Sequence, residues 1–414
     1  MGTWKIRLIP VVFVFLMHKP VSPSDWTQWR GPERNGIASD VAGADHWTGD
    51  PVKIWTKEIG TGHSSPVILG DRIFTHSRQG DDEVVSSFKL SNGETIWQTK
   101  YPAPYKMRPA AINHGKGPKS TPVIHQGKLV TLGISGILSC FDLESGKTLW
   151  SHDFSGLFEM TSPLFGTAMS PVVIGDRVIA HVGGDDHGAL RAYSLDSGNL
   201  IWSWDEDGPG YASPVLVNLE GVEQIVTQSQ EKIIGISLKD GSGLWQIPFS
   251  TPYKQNIVTP IIFGDLLIFS GLQNGTFAIQ LEEDNGRWST QEVWKNSDVS
   301  SYMSSPVLEG NLMFGFSHYK KGQLFCLDAK KGENLWIGPG RQGESAALIL
   351  SDQFLFVLDT DAEFQVYENS GEGLKPVAEH TIADSPTWAH PVVLGSRVLI
   401  KDVSNLTLWD FPAH

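Results

Sequence analysis

Gly146-Lys147-Thr148-Leu149-Trp150 sets a glycine four residues ahead of a tryptophan, and the same spacing returns at Gly93 and Trp97, Gly198 and Trp202, Gly241 and Trp245, and Gly332 and Trp336. Each copy follows a short apolar run, so the unit is a repeat. A second marker precedes each tryptophan: a small or hydroxyl residue, usually a proline, an aliphatic run, then a Gly-Asp type of turn, as in Ser65-Pro66-Val67-Ile68-Leu69-Gly70-Asp71. It recurs at Thr121-Pro122, Ser170-Pro171, Ser213-Pro214, Thr259-Pro260, Ser305-Pro306 and His390-Pro391, with Ala346-Ala347 in the remaining slot. Between residues 66 and 391 the eight copies lie 56, 49, 43, 46, 46, 41 and 44 residues apart, which is the period of a four-stranded propeller blade.

The third unit shows how a copy divides. Pro171 to Ile174, Arg177 to Val182, Ala189 to Leu195 and Leu200 to Trp204 read as four strands. Gly175-Asp176, the stretch from Gly183 to Gly188 and Asp196-Ser197-Gly198 supply the turns. The apolar runs are short, rich in Val, Ile and Phe, and end in turn residues, which favours strand over helix. The last copy holds only three strands before the chain stops at His414, whereas Val52 to Glu58 has the look of an outer strand with no inner strands before it. The expectation is an all-β fold: an eight-bladed β-propeller of four-stranded blades, closed by an N-terminal strand pairing into the last blade and so leaving no open edge in the ring.

Residues 1–24 carry Lys5 and Arg7, an apolar run from Leu8 to Met17, and Ser22-Pro23-Ser24. This is the pattern of a secretory signal peptide cleaved before Asp25, and the run is shorter than the roughly 20 residues of a membrane span. No cysteine stands there to take a lipid. The expectation is a product exported to the periplasm or the extracellular space. Without residues 1–24 the net charge moves from -14 to -17, because Lys5, Arg7 and Lys19 go and no acid does. That field opposes nucleic acid and anionic membrane surfaces, and no basic stripe offsets it. Residues 25–51, with Asp25-Trp26-Thr27-Gln28-Trp29-Arg30-Gly31-Pro32, stand outside the repeats and read as a Trp-rich anchor segment packed on the propeller, a ligand-stacking role for the two tryptophans being the alternative.

The runs Cys140-Phe141-Asp142-Leu143-Glu144-Ser145-Gly146-Lys147-Thr148-Leu149-Trp150 and Phe325-Cys326-Leu327-Asp328-Ala329-Lys330-Lys331-Gly332-Glu333-Asn334-Leu335-Trp336 resemble the pyrroloquinoline-quinone (PQQ)-like β-propeller repeat over residues 52–414. The resemblance implies one of two functions, since one fold hosts many. Quinoprotein alcohol and sugar dehydrogenases hold PQQ and calcium in the funnel. A non-catalytic branch, with the propeller lipoprotein of the outer-membrane β-barrel assembly machinery, serves as a docking scaffold. The dehydrogenases stack the quinone on a disulfide between adjacent cysteines, whereas this chain has only Cys140 and Cys326, in blades 2 and 6 on opposite sides of the ring. A disulfide needs Cα atoms within about 7 Å, so both are expected to be buried, inert thiols. The reading that follows is a monomeric, non-catalytic binding or scaffold module of the cell envelope. It has other envelope or secreted proteins as partners, no catalytic residue, no metal and no cofactor. The alternative is a PQQ-dependent alcohol or sugar dehydrogenase with PQQ and calcium in the funnel.

Trp55, Trp97, Trp150, Trp202, Trp245, Trp294 and Trp336 fall once per blade and are expected to wedge neighbouring blades together; blade 7 has only Val377 near that place and is expected to be held less tightly. Three residues before each inner-strand proline position stand His63, Lys119, Ala168, Tyr211, Ile257, Met303, Glu344 and Trp388. In this ring His63, Lys119, Tyr211, Glu344 and Trp388 form a polar arc suited to a small polar ligand. Asp185-Asp186-His187 is metal-like in composition, but its flanking glycines favour a turn, and a hard cation wants about six oxygens. Asp81-Asp82-Glu83 reads as a solvated hairpin tip. The longest insertion, 101–120, gathers Tyr105, Lys106, Arg108, His114 and Lys116. With the apolar connector 151–169 and its Phe158, it is the expected partner surface, or else a cover over the funnel.

Overall fold

The computed structural model describes residues 25–157 and 163–413; the signal peptide expected at 1–24 lies outside them. Eight four-stranded antiparallel sheets form the ring. Blade 3 is representative, with strands Val172–Ile174, Arg177–Gly184, His187–Ser194 and Leu200–Trp204. Its second hairpin is tighter than the glycine-rich run suggests, because Gly184 pairs with His187 and only Asp185 and Asp186 turn. Asp186 takes a φ of 61° there. Blade 8 consists of Val392–Leu394, Arg397–Lys401 and Asn405–Asp410, completed by the N-terminal strand Val52–Glu58, whose Glu58 stands opposite Asn405.

The glycine–tryptophan spacing is an inter-blade joint. Trp97 lies over Gly146 of the next blade so closely that a Cβ on that glycine would stand 2.4 Å from the indole, and Gly146 also has a φ of 71°. Only glycine meets both demands. Trp55, Trp97, Trp150, Trp202, Trp294 and Trp336 each donate the indole N–H to a backbone carbonyl of the following blade, at 2.9–3.1 Å. Within its own sheet each repeat tryptophan of blades 1 to 6 faces a small residue of the third strand: Ser87, Cys140, Ala192, Gly235, Ala278 or Cys326. Trp245 departs, donating to Gln224 Oε1 of its own blade. Leu281, the equivalent acceptor in blade 5, is paired with Thr290 in an extended hairpin.

Where blade 7 lacks its tryptophan, the N-terminal segment supplies one. The helical turn Ala44–Trp47 buries Trp47 completely, against Phe356 and Phe364 of blade 7 and Phe411 beyond blade 8, with ring centroids 4.8, 6.4 and 4.9 Å away. The gap that the repeat leaves at blade 7 is thus filled from outside the repeats, which the sequence reading did not anticipate. Glu83 is also not at a solvated tip. It is fully buried, accepts hydrogen bonds from Tyr101 Oη at 2.9 Å and Ile134 N at 2.8 Å, and lies 3.3 Å from His76 Nε2. Cys140 and Cys326 are free and buried, and burial pushes both thiols up to about 12. No described helix is long and apolar enough to cross a membrane.

Candidate funnel site

Each inner strand begins at one face and runs away from it. At that beginning, hydroxyl residues tie blade to blade. The backbone N–H of His390, Thr121 (2.9 Å), Ser170 and Thr259 donates to the hydroxyl of Ser65, Ser170, Ser213 and Ser305 respectively, the other three at 2.8, 3.0 and 3.0 Å. This belt is the reason a small hydroxyl residue precedes the proline in most copies. It also fixes the height of the residues just before it. All eight of those counted from the repeat, His63, Lys119, Ala168, Tyr211, Ile257, Met303, Glu344 and Trp388, line one cavity of about 180 Å³.

The insertion 101–120 forms part of the wall. His63 is held by its N–H on Pro118 O and by its ring Nε2 on His114 O, both at 2.8 Å. The His114 ring meets Trp388 edge-on at 5.2 Å and Phe165 at 4.9 Å. Phe165 comes from the second connector, whose backbone N–H donates to Tyr211 Oη at 3.2 Å. The two long loops therefore pack on each other over the funnel, and His114 is a wall residue more than an outward contact. Arg108 reaches Asp185 Oδ2 at 3.4 Å, and Lys254 lies 2.6 Å from Asp186, so the acidic turn of blade 3 takes lysine and arginine partners. Lys106 and Lys116 are exposed, and Tyr105 is half-buried. Phe158 lies outside the described residues.

The two tryptophans of the N-terminal segment divide between packing and site. Trp26 pairs its backbone with Ile68 and is buried in the blade core. Trp29 lines the cavity from below, donating to Thr259 Oγ1 at 3.1 Å and resting 4.4 Å from the His390 ring. Sequence reading offers Trp29 a site role only as the alternative to packing, counts Phe165 only within the apolar connector 151–169, and passes over Tyr302. Tyr302 had a signal, since it adjoins Met303 of the repeat-derived ring.

Lys119 lies largely buried, its Nζ at 3.5 Å from the carbonyls of His114 and Gly115, and burial lowers its pKa to about 8. His63 is pushed down to about 3 by burial and the Lys119 charge; His114 is lowered by the same two causes against an opposing pull from Glu344. Burial, with Glu344 nearby, lifts Tyr302 to about 12. The cavity at neutral pH thus presents aromatic faces, two neutral imidazoles and one lysine ammonium. Glu344 is the only carboxylate among the lining residues, and no cluster of three metal-ligating side chains occurs among the described residues. That donor set does not suit calcium, which takes six or more oxygens.

A family model described as "Outer membrane protein assembly factor BamB" matches residues 81–338. BamB of Shewanella oneidensis is 21% identical over 418 residues, spanning 97% of each chain. That of Bordetella pertussis is 24% identical over 357 residues, 84% of this chain and 73% of its own. Among solved structures, BamB from Moraxella catarrhalis superposes with a TM-score of 0.61 at 16% identity, covering 88% of this chain and 99% of that one. A europium-containing methanol dehydrogenase gives 0.69 at 13% identity, covering 93% and 91%. At such identities the structural likeness speaks for the eight-bladed fold alone, which scaffold and dehydrogenase share. The sequence match over most of the ring is what separates the two, and by it this chain belongs to the family of the outer-membrane protein assembly factor BamB.

Proposed function

We propose that the protein is an exported, non-catalytic docking module of the cell envelope, working as a monomer in the periplasm with proteins that assemble outer-membrane components. Residues 1–24 serve as its secretory signal, 25–51 as its anchor segment and 52–414 as the propeller. The observation that carries this reading is the 101–120 insertion. In a chain of net charge -14 it exposes Lys106, Lys116 and Arg108, the last of them also reaching Asp185. Loops braced on a rigid scaffold lose little entropy on docking, and a local basic patch favours an acidic partner surface. His63, Lys119, Tyr211, Glu344 and Trp388 then form a recess beside that patch for a partner side chain or a small polar ligand.

The test uses charge reversal, because residues 114–119 hold the funnel wall and deleting them would disturb it. Lys106→Glu, Arg108→Glu and Lys116→Glu together are expected to leave folding intact and to abolish photo-cross-linking to the outer-membrane β-barrel assembly proteins. Unchanged cross-linking sinks the assignment of this loop. Turnover of an alcohol in the presence of PQQ and calcium would overturn the non-catalytic reading itself.

A further inference from the structure

On the other side of Trp29 from the funnel, a second cavity of about 590 Å³ lies between the N-terminal segment and the inner strands of blades 3 to 6. Arg30 and Arg34 line it, and their exposures are only 2% and 6%. Arginine stays charged even when buried, so two cations stand side by side in the channel. Among the described residues no carboxylate forms an ion pair with either. Glu33, which also lines the cavity, is exposed.

The hydrogen bonds they do make are to neutral acceptors. Arg30 Nη2 donates to Asn35 O at 3.1 Å and to Pro306 O; Arg34 donates through Nη1 to Gln28 Oε1 and Pro171 O and through Nη2 to Ser170 O, all at 3.1 Å. The Nε–H of each is buried with no partner among the described residues. Carbonyls orient a guanidinium without cancelling its charge. Burial lowers both pKa values to about 9, and at Arg34 the charge of Arg30 adds to the effect. The backbone is bent to keep them there: Arg30 and Arg34 have φ of 60° and 56°, a region costly for residues with a Cβ. Gly36 leaves the passage for Arg30, since a Cβ on it would stand 2.7 Å from Val307 and 3.1 Å from Arg30 Nη2.

Two buried guanidiniums whose charge no carboxylate offsets, fixed in strained backbone at the wall of a cavity, call for an anion with several acceptor oxygens. We propose that this cavity binds a small tetrahedral oxyanion, a phosphate or sulfate group, between Arg30 and Arg34. The planar fork of arginine suits such a group better than a lysine point charge.

Calorimetric titration of the full protein with inorganic phosphate at low ionic strength tests this. Saturable one-to-one binding that sulfate displaces is expected. Arg34→Met should weaken it at least about tenfold, the loss of one charge-assisted contact. Arg34→Lys should lose part of the affinity, and Lys147→Met, on the outer surface, none. No saturable phosphate binding by the parent protein overturns the proposal, as does equal binding by a folded Arg34→Met variant. If that variant does not fold, the parent titration and its sulfate competition still decide. Failure here leaves the docking role untouched, since the cross-linked residues lie on the funnel face.

Discussion

Glu83 shows what a single residue does inside this ring. Burial by itself would raise its pKa, but attraction and hydrogen bonding to His76, with the Ile134 N–H and the Tyr101 hydroxyl, outweigh it and hold the carboxyl below its ordinary range. A carboxyl depressed in the folded state contributes stability above its unfolded pKa and loses it as pH falls through the folded one. Glu83→Gln is therefore expected to cost about 2–4 kcal/mol at neutral pH, since it leaves part of a buried network unpaired. The deficit should hold down to about pH 4.3, the unfolded glutamate value, and shrink below it. Urea unfolding at a series of pH values reads both. An acidic triplet at a hairpin turn looks solvated in sequence because what covers Glu83, Ile134, comes from the next blade. His63, Lys119 and Trp388 were legible for the converse reason. The repeat fixes their height, so counting back from a proline finds them.

At the scale of elements, the blades were readable because each carries its own turn residues and all but blade 7 carry their own tryptophan. The joint between blades 7 and 8 was not. Its wedge, Trp47, sits outside the repeats and meets Phe411 from the far end of the chain. Trp47→Ala is expected to cost about 3–5 kcal/mol, the usual range for a fully buried aromatic, with a lowered denaturant midpoint. A variant as stable as the parent would mean that the Phe356, Phe364 and Phe411 rings hold the joint unaided. The same limit explains Trp29. Whether a tryptophan beside the repeats packs in a core or faces a cavity depends on where its segment threads the ring, and nothing local to Trp26 and Trp29 distinguishes them.

For the whole molecule, closure rests on one short ladder, Val52–Glu58 against Asn405–Asp410. A chain beginning at Ile59 would leave Asn405–Asp410 as an unpaired edge, and such edges recruit other chains. Light scattering of that truncated chain is expected to show concentration-dependent association, and a monodisperse monomer would count against the ladder as the lock. The ladder also has a meaning in time. A ribosome releases Val52–Glu58 first among the strands and Asn405–Asp410 last, so the earliest strand waits for the whole ring before it can pair. Contacts so distant in sequence form slowly. Until the last strand is in place, every blade can form while the circle stays open, and the unpaired first strand is where a chaperone would gain most by waiting with it.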